Sequence, residues 1–224
     1  MPFRDRVEAG RKLAEALAGY RDQHPVVLAL PRGGVPVAAE VAAALNAPLD
    51  LVLVRKIGVP FQPELAMGAV VDGDHPMVVR NEEVIRLTGI GEDKFEAVCR
   101  QEMEEIERRR RRYLGGRDRL DVSGKTAVVI DDGLATGATA RAALRATRAR
   151  DPKSLILAVP VAATDTLNAL ESEADEVVCL EAYEDFGAIG LYYSDFRQIS
   201  DREVIASLDR HARAGAGAGS GSSQ

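Results

Sequence analysis

Aromatic residues are scarce in this chain: they make up 4% of its 224 residues, and tryptophan is absent. Proteins that hold single-stranded nucleic acid by stacking its bases on aromatic rings depend on such residues, so the composition argues against that class. The formal net charge of -6 gives the whole molecule no general attraction for polyanions. An anion site in this protein therefore has to be local, built from backbone amides and a few placed cations.

Residues that bind metals or form disulfides are also few. The two cysteines, Cys99 and Cys179, show no paired spacing, and the three histidines are scattered along the chain. We interpret the cysteines as small buried hydrophobic residues. The first residues contain no apolar segment of signal-peptide length, and no apolar run is long enough to span a bilayer. We therefore expect a cytoplasmic protein that does not associate with membranes.

Short apolar runs, many of them β-branched, alternate with segments of helical pattern. The runs lie at 26–30, 49–54, 126–130, 154–159 and 176–180, and the helical segments at 35–45, 138–149 and 164–170. Because the runs are continuously apolar, their strands should be covered on both faces, as in a parallel sheet between helices. The sequence predicts one α/β domain over residues 1–213, with a central parallel sheet flanked by helices. The Gly/Ser/Ala-rich stretch 214–224 is predicted to be a disordered tail.

A long helix is predicted over Glu92–Leu114, outside this alternation. Three Glu–Arg pairs have the i,i+4 spacing that supports an exposed helix face: Glu104–Arg108, Glu105–Arg109 and Glu107–Arg111. The apolar residues fall along one stripe, which consists of Phe95, Val98, Cys99, Met103, Ile106 and Tyr113. The sequence leaves open whether this stripe packs on the protein's own sheet or on a second subunit.

The most informative stretch is 128–139 (VVIDDGLATGAT). An apolar strand delivers two adjacent carboxylates, Asp131 and Asp132, to its carboxyl end, where parallel sheets bind their ligands. The small residues that follow let the backbone approach a ligand closely, and the amides at the start of the next helix point at it. Thr136 and Thr139 add hydroxyl donors. This stretch therefore predicts a binding site for a phosphate group.

Two carboxylates beside a phosphate need a separate explanation, because like charges repel each other. They fit a ligand whose neighbouring hydroxyl groups donate hydrogen bonds to them, and a ribose 5-phosphate carries both a phosphate and such hydroxyls. The alternative is an Asp-Gly turn that caps a helix. That alternative suits an isolated turn better than it suits the complete succession of strand, acids, small-residue loop and helix.

The stretch resembles the motif by which type I phosphoribosyltransferases bind 5-phosphoribosyl 1-diphosphate (PRPP), with an apolar strand, two acids and a small-residue loop ending in Thr-Gly. The resemblance implies the family's fold, in which residues 1–20 and 181–199 form a small hood and residues 81–115 form a helical insertion. It implies that Asp131 and Asp132 are catalytic acids that bind the ribose hydroxyls. The implied 5-phosphate ligands are Ala135, Thr136, Gly137, Ala138 and Thr139, although many members have glycine where this chain has Ala138.

A second loop, Pro-Arg-Gly-Gly, follows the first predicted strand directly and precedes a helix. It resembles the family's pyrophosphate loop, in which a tight turn offers backbone amides to the diphosphate. Gly33 and Gly34 would supply such amides, and the guanidinium of Arg32 would add a bidentate donor. Taken alone such a turn is usually structural, but its position at a strand's carboxyl end favours a ligand site.

Three further residues are weaker candidates for the same site. Arg55 and Lys56 are expected at the end of the second strand, where they would neutralise the diphosphate. The stretch 63–69 (PELAMGA) resembles one found in an uncharacterised bacterial branch of the family. We take its Glu64 as a candidate acceptor-binding residue.

The resemblance implies that a nucleophile, usually a ring nitrogen, attacks C1 of the ribose while pyrophosphate leaves. The cofactor would be Mg2+, held mainly by oxygens of PRPP, with no protein ligand that the sequence makes certain. The partners would be PRPP and a small-molecule acceptor, a nitrogenous base that the sequence does not identify. Tyr183, Phe186 and Tyr192 of the hood would stack on this base, unless they only pin the hood to the sheet. Family habit favours a homodimer.

Other functions remain open at this point. A regulator could bind PRPP as a signal without turnover and contact nucleic acid through the five arginines at 108–112. Three of these arginines have a glutamate one turn earlier, so an ion-paired helix explains them better and we expect no nucleic-acid partner. A phosphatase or sugar-phosphate hydrolase would need a base for its water, which the sequence does not single out. An interaction protein with a decayed site would be expected to have lost the two acids.

Overall fold

A computed structural model gives the fold, and it describes residues 2–73 and 76–217. The described helices are α1 (Arg6–Ala16), α2 (Gly34–Leu45), α3 (Glu82–Thr88), α4 (Glu92–Leu114), α5 (Ala138–Arg148), α6 (Thr164–Leu170) and α7 (Asp201–Gly217). The described strands are β1 (Val26–Ala29), β2 (Leu49–Leu51), β3 (Val54–Val59), β4 (Gln62–Val71), β5 (Met77–Arg80), β6 (Thr126–Ile130), β7 (Ser154–Ala163) and β8 (Glu176–Tyr183).

The centre of the molecule is a five-stranded parallel sheet in the order β2-β1-β6-β7-β8. Every residue of β1 and β6 is buried, because helices cover both faces of the sheet. This burial on both faces explains why the sequence is continuously apolar at these strands. The predicted α/β fold is confirmed. Since all five strands are parallel, the loops after β1 and β6 leave the sheet at the same edge.

The second predicted strand, 49–54, is wrong in its extent. Strand β2 ends at Leu51, and Val54 already belongs to β3, which forms a separate antiparallel sheet in the order β3-β4-β5. The sequence predicts a single strand here because Val52 and Leu53, which connect the two sheets, are also buried and apolar. Arg55 and Lys56 therefore lie within β3 and not at the end of a central strand.

Helix α4 has the predicted bounds. Acidic residues in its first turn and arginines in its last complement the helix dipole, and Gly115 ends it with a positive φ of 59°. The whole apolar stripe lies in a core shared with the rest of the chain, where α4 packs against β3, β4 and α7. Of the three predicted ion pairs the structure has Glu105–Arg109, at 2.7 Å, and Arg108 also pairs with Glu105.

The strands at the far side of the sheet are longer than predicted. Strand β7 continues to Ala163 and β8 to Tyr183, where these two residues pair. The hood then follows as a short 3-10 turn, Ile189–Tyr192, and irregular chain. Helix α7 extends to Gly217, and residues 218–224 of the predicted tail lie outside the described residues. Among the helices described, none is long and apolar enough to cross a membrane.

Candidate functional site

The two acids stand at the carboxyl end of β6 but in different surroundings. Asp131 is half-buried, whereas Asp132 is only 7% exposed. Arg6, at the start of α1, donates from Nε to Oδ2 of Asp132 at 2.7 Å, and the two side chains are 9% and 10% exposed. The carboxylate of Asp132 is thus already paired with the buried Arg6. The carboxylate of Asp131 is more exposed and is the better placed of the two to contact a ligand.

The hood holds this ion pair from the opposite side. Arg6 donates from Nη1 to the backbone oxygen of Arg197 at 3.0 Å, and its guanidinium carbon lies 3.8 Å from the ring centre of Phe196. The hydroxyl of Tyr193 donates to the backbone oxygen of Asp132 at 2.6 Å. Burial and the nearby carboxylates raise the pKa of Tyr193, which keeps this hydroxyl a donor. The hood and the acid pair therefore form one hydrogen-bonded unit.

Burial also changes the ionisation of the acids. It raises the pKa of Asp131 well above its ordinary value, and the neighbouring charge of Asp132 raises it further. The pKa of Asp132 is raised by burial as well, but the charge of Arg6 opposes this effect. The ionised form of Asp131 is therefore poorly solvated, and hydroxyl groups of a ligand would stabilise this form by donating hydrogen bonds to it.

The Pro-Arg-Gly-Gly loop after β1 packs directly on the acids. A Cβ atom added to Gly33 would lie 2.0 Å from Oδ2 of Asp132, and one added to Gly34 would lie 2.6 Å from the backbone oxygen of Ile130. Glycine is therefore required at both positions by the close approach of two loops. The two loops therefore meet through Gly33 and Gly34, and the part of Arg32 in ligand binding stays a prediction.

The predicted phosphate loop is braced from its far side. Leu134 forms a bridge with Ala162, and the hydroxyl of Thr166 donates to the backbone oxygen of Ala135 at 2.6 Å. Gly137 has a φ of 68°, and no side chain caps the helix α5 that starts after it. The first amides of α5 are therefore available to an anion. Four loop residues are exposed around them: Ala135, Thr136, Ala138 and Thr139.

The structure does not join Arg55, Lys56 and Glu64 to the acid pair through any ion pair of the described residues. Arg55 donates to Glu102 of α4 at 2.6 Å. Lys56 lies 3.3 Å from the carboxylate of Glu64 across the β3-β4 hairpin. These side chains form their own ion pairs on the small antiparallel sheet, and their part in ligand binding stays a prediction.

The hood aromatics stack on one another. The ring centres of Tyr183 and Tyr192 are 4.6 Å apart, and those of Phe186 and Tyr192 are 4.8 Å apart. All three residues are half-buried and pack with Phe3 and Tyr193 in a small apolar cluster. This stacking accounts for their clustering in the sequence, and a further role in binding an acceptor stays a prediction.

Sequence reasoning missed three residues of this site: Arg6, Tyr193 as a hydrogen-bond donor, and Asp201. Arg32 lies 3.6 Å from the carboxylate of Asp201 at the start of α7. Nothing in the local sequence distinguishes these residues from surface arginines, hood aromatics and surface acids, because their partners lie far along the chain on other elements. The described residues contain no group of three or more His, Cys, Asp or Glu that could hold a metal ion.

Comparison with known proteins gives consistent matches along the chain. A sequence model of the phosphoribosyl transferase domain matches residues 5–197. Two curated proteins from two strains of Mycobacterium tuberculosis, each named "Putative phosphoribosyl transferase", are 49% identical over 218 residues, which are 96% of this chain. They are 49% of each relative, so the chain spans about half the length of the curated relatives it matches. A Thermus thermophilus protein of known crystal structure is 42% identical in sequence to this chain. The two structures superpose with a TM-score of 0.80 over 93% of this chain and 98% of the Thermus chain.

Proposed function

We propose that this chain, which belongs to the phosphoribosyl transferase domain family and has the type I fold, binds PRPP and transfers its 5-phosphoribosyl group to an acceptor with release of pyrophosphate. One observation carries the proposal. The acid pair after β6 lies between two loops that offer backbone amides, the Pro-Arg-Gly-Gly loop and the loop before α5. PRPP has phosphates at both ends and hydroxyls between them, in the same order.

The chain's own residues then have separate roles. The amides from Ala138 onward and the hydroxyls of Thr136 and Thr139 bind the 5-phosphate. Asp131 accepts hydrogen bonds from the ribose hydroxyls, and its negative charge stabilises the positive charge that develops on the ribose ring as the C1–diphosphate bond breaks. Asp132 is held by Arg6 and fixes the position of Gly33 beside it.

The diphosphate is bound by the amides of Gly33 and Gly34 and by the guanidinium of Arg32. Mg2+ fits this arrangement, since an ion with few protein ligands takes the rest from substrate oxygens, and it would supply positive charge to the leaving diphosphate. Asp131 is the carboxylate best placed to approach such an ion. Arg55 and Lys56, which pair with Glu102 and Glu64, are weaker candidates for adding to this positive charge.

The acceptor is proposed to be a nitrogenous base that lies against the hood. The exposed parts of Tyr183 and Phe186 offer it a stacking surface, and Glu64 is a weaker candidate because it pairs with Lys56. The site geometry does not select one base. A transferase of this kind needs a nucleophile at C1, usually a ring nitrogen, so the proposed acceptor class follows from the reaction and not from the hood alone.

The experiment is a screen of bases and other amines for PRPP-dependent release of pyrophosphate in the presence of Mg2+. We expect release with at least one acceptor, and loss of release in Asp131→Asn. Calorimetry with PRPP and with ribose 5-phosphate accompanies the screen. If neither compound binds, the proposed function is wrong. If PRPP binds and no acceptor releases pyrophosphate, the protein is a PRPP sensor, which is the alternative function with the same site.

A further inference from the structure

The carboxylate of Asp201 connects the Pro-Arg-Gly-Gly loop to the last turn of α4. Its Oδ2 lies 2.9 Å from Nε of Arg112, its Oδ1 lies 3.6 Å from Nη1 of Arg32, and the hydroxyl of Tyr113 donates to Oδ1 at 2.7 Å. Arg112 belongs to the run of five arginines whose purpose the sequence left open. Arg108 and Arg109 of this run are paired with Glu105, so Arg112 has a different environment from theirs.

The same cluster lines a cavity of about 320 Å³ whose walls include Arg32, Arg112, Arg202 and Asp201. Three arginines against one aspartate make this cavity a place of net positive charge. Arg32 links this cavity to the acid pair along the chain, because a Cβ atom added to the next residue, Gly33, would collide with Asp132. An anion bound here would contact Arg32, the candidate diphosphate ligand.

We propose that Arg112 is a further diphosphate-binding residue and that Asp201 competes with the diphosphate for Arg32 and Arg112. The inference rests on the proposed function, because it names a second arginine for the leaving group of the same reaction. It also gives the helical insertion a role, since α4 brings a cation from outside the parallel sheet to the Pro-Arg-Gly-Gly loop.

Chemistry supports the competition. Guanidinium groups bind carboxylate and phosphate oxygens through the same planar donors, so a diphosphate can take the contacts that Asp201 makes. The carboxyl end of a helix carries partial negative charge, so the arginine side chains and not the backbone of α4 attract an anion at this point. Tyr113 is buried and holds Asp201 in place, which limits how far the carboxylate swings away.

The test is calorimetry of inorganic pyrophosphate with Mg2+, and separately of ribose 5-phosphate, on the full chain. Arg112→Gln is compared with Arg111→Gln, a control that removes one exposed positive charge from the next position. We expect Arg112→Gln to weaken pyrophosphate binding about tenfold or more, as expected for the loss of a charged hydrogen bond. Ribose 5-phosphate binding should stay unchanged in both variants.

The competitor is tested by Asp201→Asn, which should tighten pyrophosphate binding. Asp209→Asn is its control: it removes an exposed carboxylate of the same helix, which pairs with Arg117, and should leave pyrophosphate binding unchanged. Equal pyrophosphate affinity in Arg112→Gln and Arg111→Gln, or weaker binding in Asp201→Asn, overturns the inference.

Absence of pyrophosphate binding by the unaltered protein overturns the inference as well. Ribose 5-phosphate then distinguishes failure of this inference from failure of the proposed function. If ribose 5-phosphate binds, the proposed function stands. If neither ribose 5-phosphate nor PRPP binds, the proposed function is wrong as well.

Discussion

At the scale of single residues, the pair of Arg6 and Asp132 is the most consequential contact. Both side chains are about nine-tenths buried, and their hydrogen bond joins residues 126 positions apart. Two buried charges of this kind add little net stability compared with apolar neighbours, but removing one leaves the other without a partner in a medium of low dielectric constant. The pair therefore matters more for where Asp132 is held than for how stable the protein is.

Arg6→Gln should lower the free energy of unfolding by about 3–5 kcal/mol, the usual cost of leaving one partner of a buried ion pair alone. The measurement is denaturant unfolding at neutral pH. Arg11→Gln is the control on the same helix, since Arg11 pairs with Glu40 while 63% of its side chain is exposed, and exposed pairs contribute about 0–1 kcal/mol. Equal losses in the two variants would contradict the role given to Arg6.

Asp131 predicts a pH dependence of stability. Its pKa in the folded protein is raised well above the ordinary 3.8, so the folded state holds the proton more tightly than the unfolded state. As pH rises above about 3.8, the contribution of Asp131 to the free energy of unfolding should fall, until pH passes the folded pKa. Asp131→Asn removes this decline and should be the more stable protein at neutral pH.

Unfolding of both proteins from about pH 3 to about pH 8 measures this effect, and the advantage of Asp131→Asn should grow with pH. Asp118→Asn, at an exposed position, supplies the control for a lost surface carboxylate. A constant difference between Asp131→Asn and the unaltered protein across this range would show that Asp131 is not desolvated.

At the scale of elements, the loop between β6 and α5 depends on one glycine and one neighbouring helix. Gly137 has a φ of 68°, and a Cβ atom there would lie 2.7 Å from Cγ2 of Thr166 on α6. The same threonine braces the loop through its bond to Ala135. The predicted phosphate loop is thus shaped by α6 as well as by its own sequence.

Gly137→Ala should therefore cost more than an alanine at another left-handed glycine. Gly89 is the matched control, because its φ is 65° and no atom of the described residues lies within 4 Å of the added Cβ. Backbone strain alone should cost about 1–2 kcal/mol at Gly89, and the collision with Thr166 should make the loss at Gly137 larger. Thermal unfolding measures both, and equal losses would show that α6 does not shape the loop.

Elements with a strong local pattern could be predicted from the sequence, and those set by distant partners could not. Helix α4 has its predicted ends because charges and a terminal glycine mark both of them. The 49–54 run was taken for one strand because burial is continuous across two sheets. The antiparallel hairpin that follows was not predicted, and Arg55 and Lys56 belong to its first strand instead of the end of a central strand.

At the scale of the whole molecule, the candidate site was predictable where its residues follow central strands. Parallel strands bring their carboxyl ends to one edge, so the sequence alone places Arg32 to Gly34 near Asp131 to Thr139. The supporting residues could not, because Arg6 and Tyr193 approach Asp132 from opposite ends of the chain. Their contacts exist only in the folded molecule and leave no local pattern.

This last arrangement has a consequence for biosynthesis. The strand β6, the acids and the loop before α5 are translated after Arg6 and before Tyr193. A nascent chain halted between Thr139 and Tyr193 would therefore carry the complete motif and still lack the hydroxyl that holds Asp132. The acid pair therefore gains its full set of contacts only after Tyr193 has left the ribosome and the hood has folded onto β6.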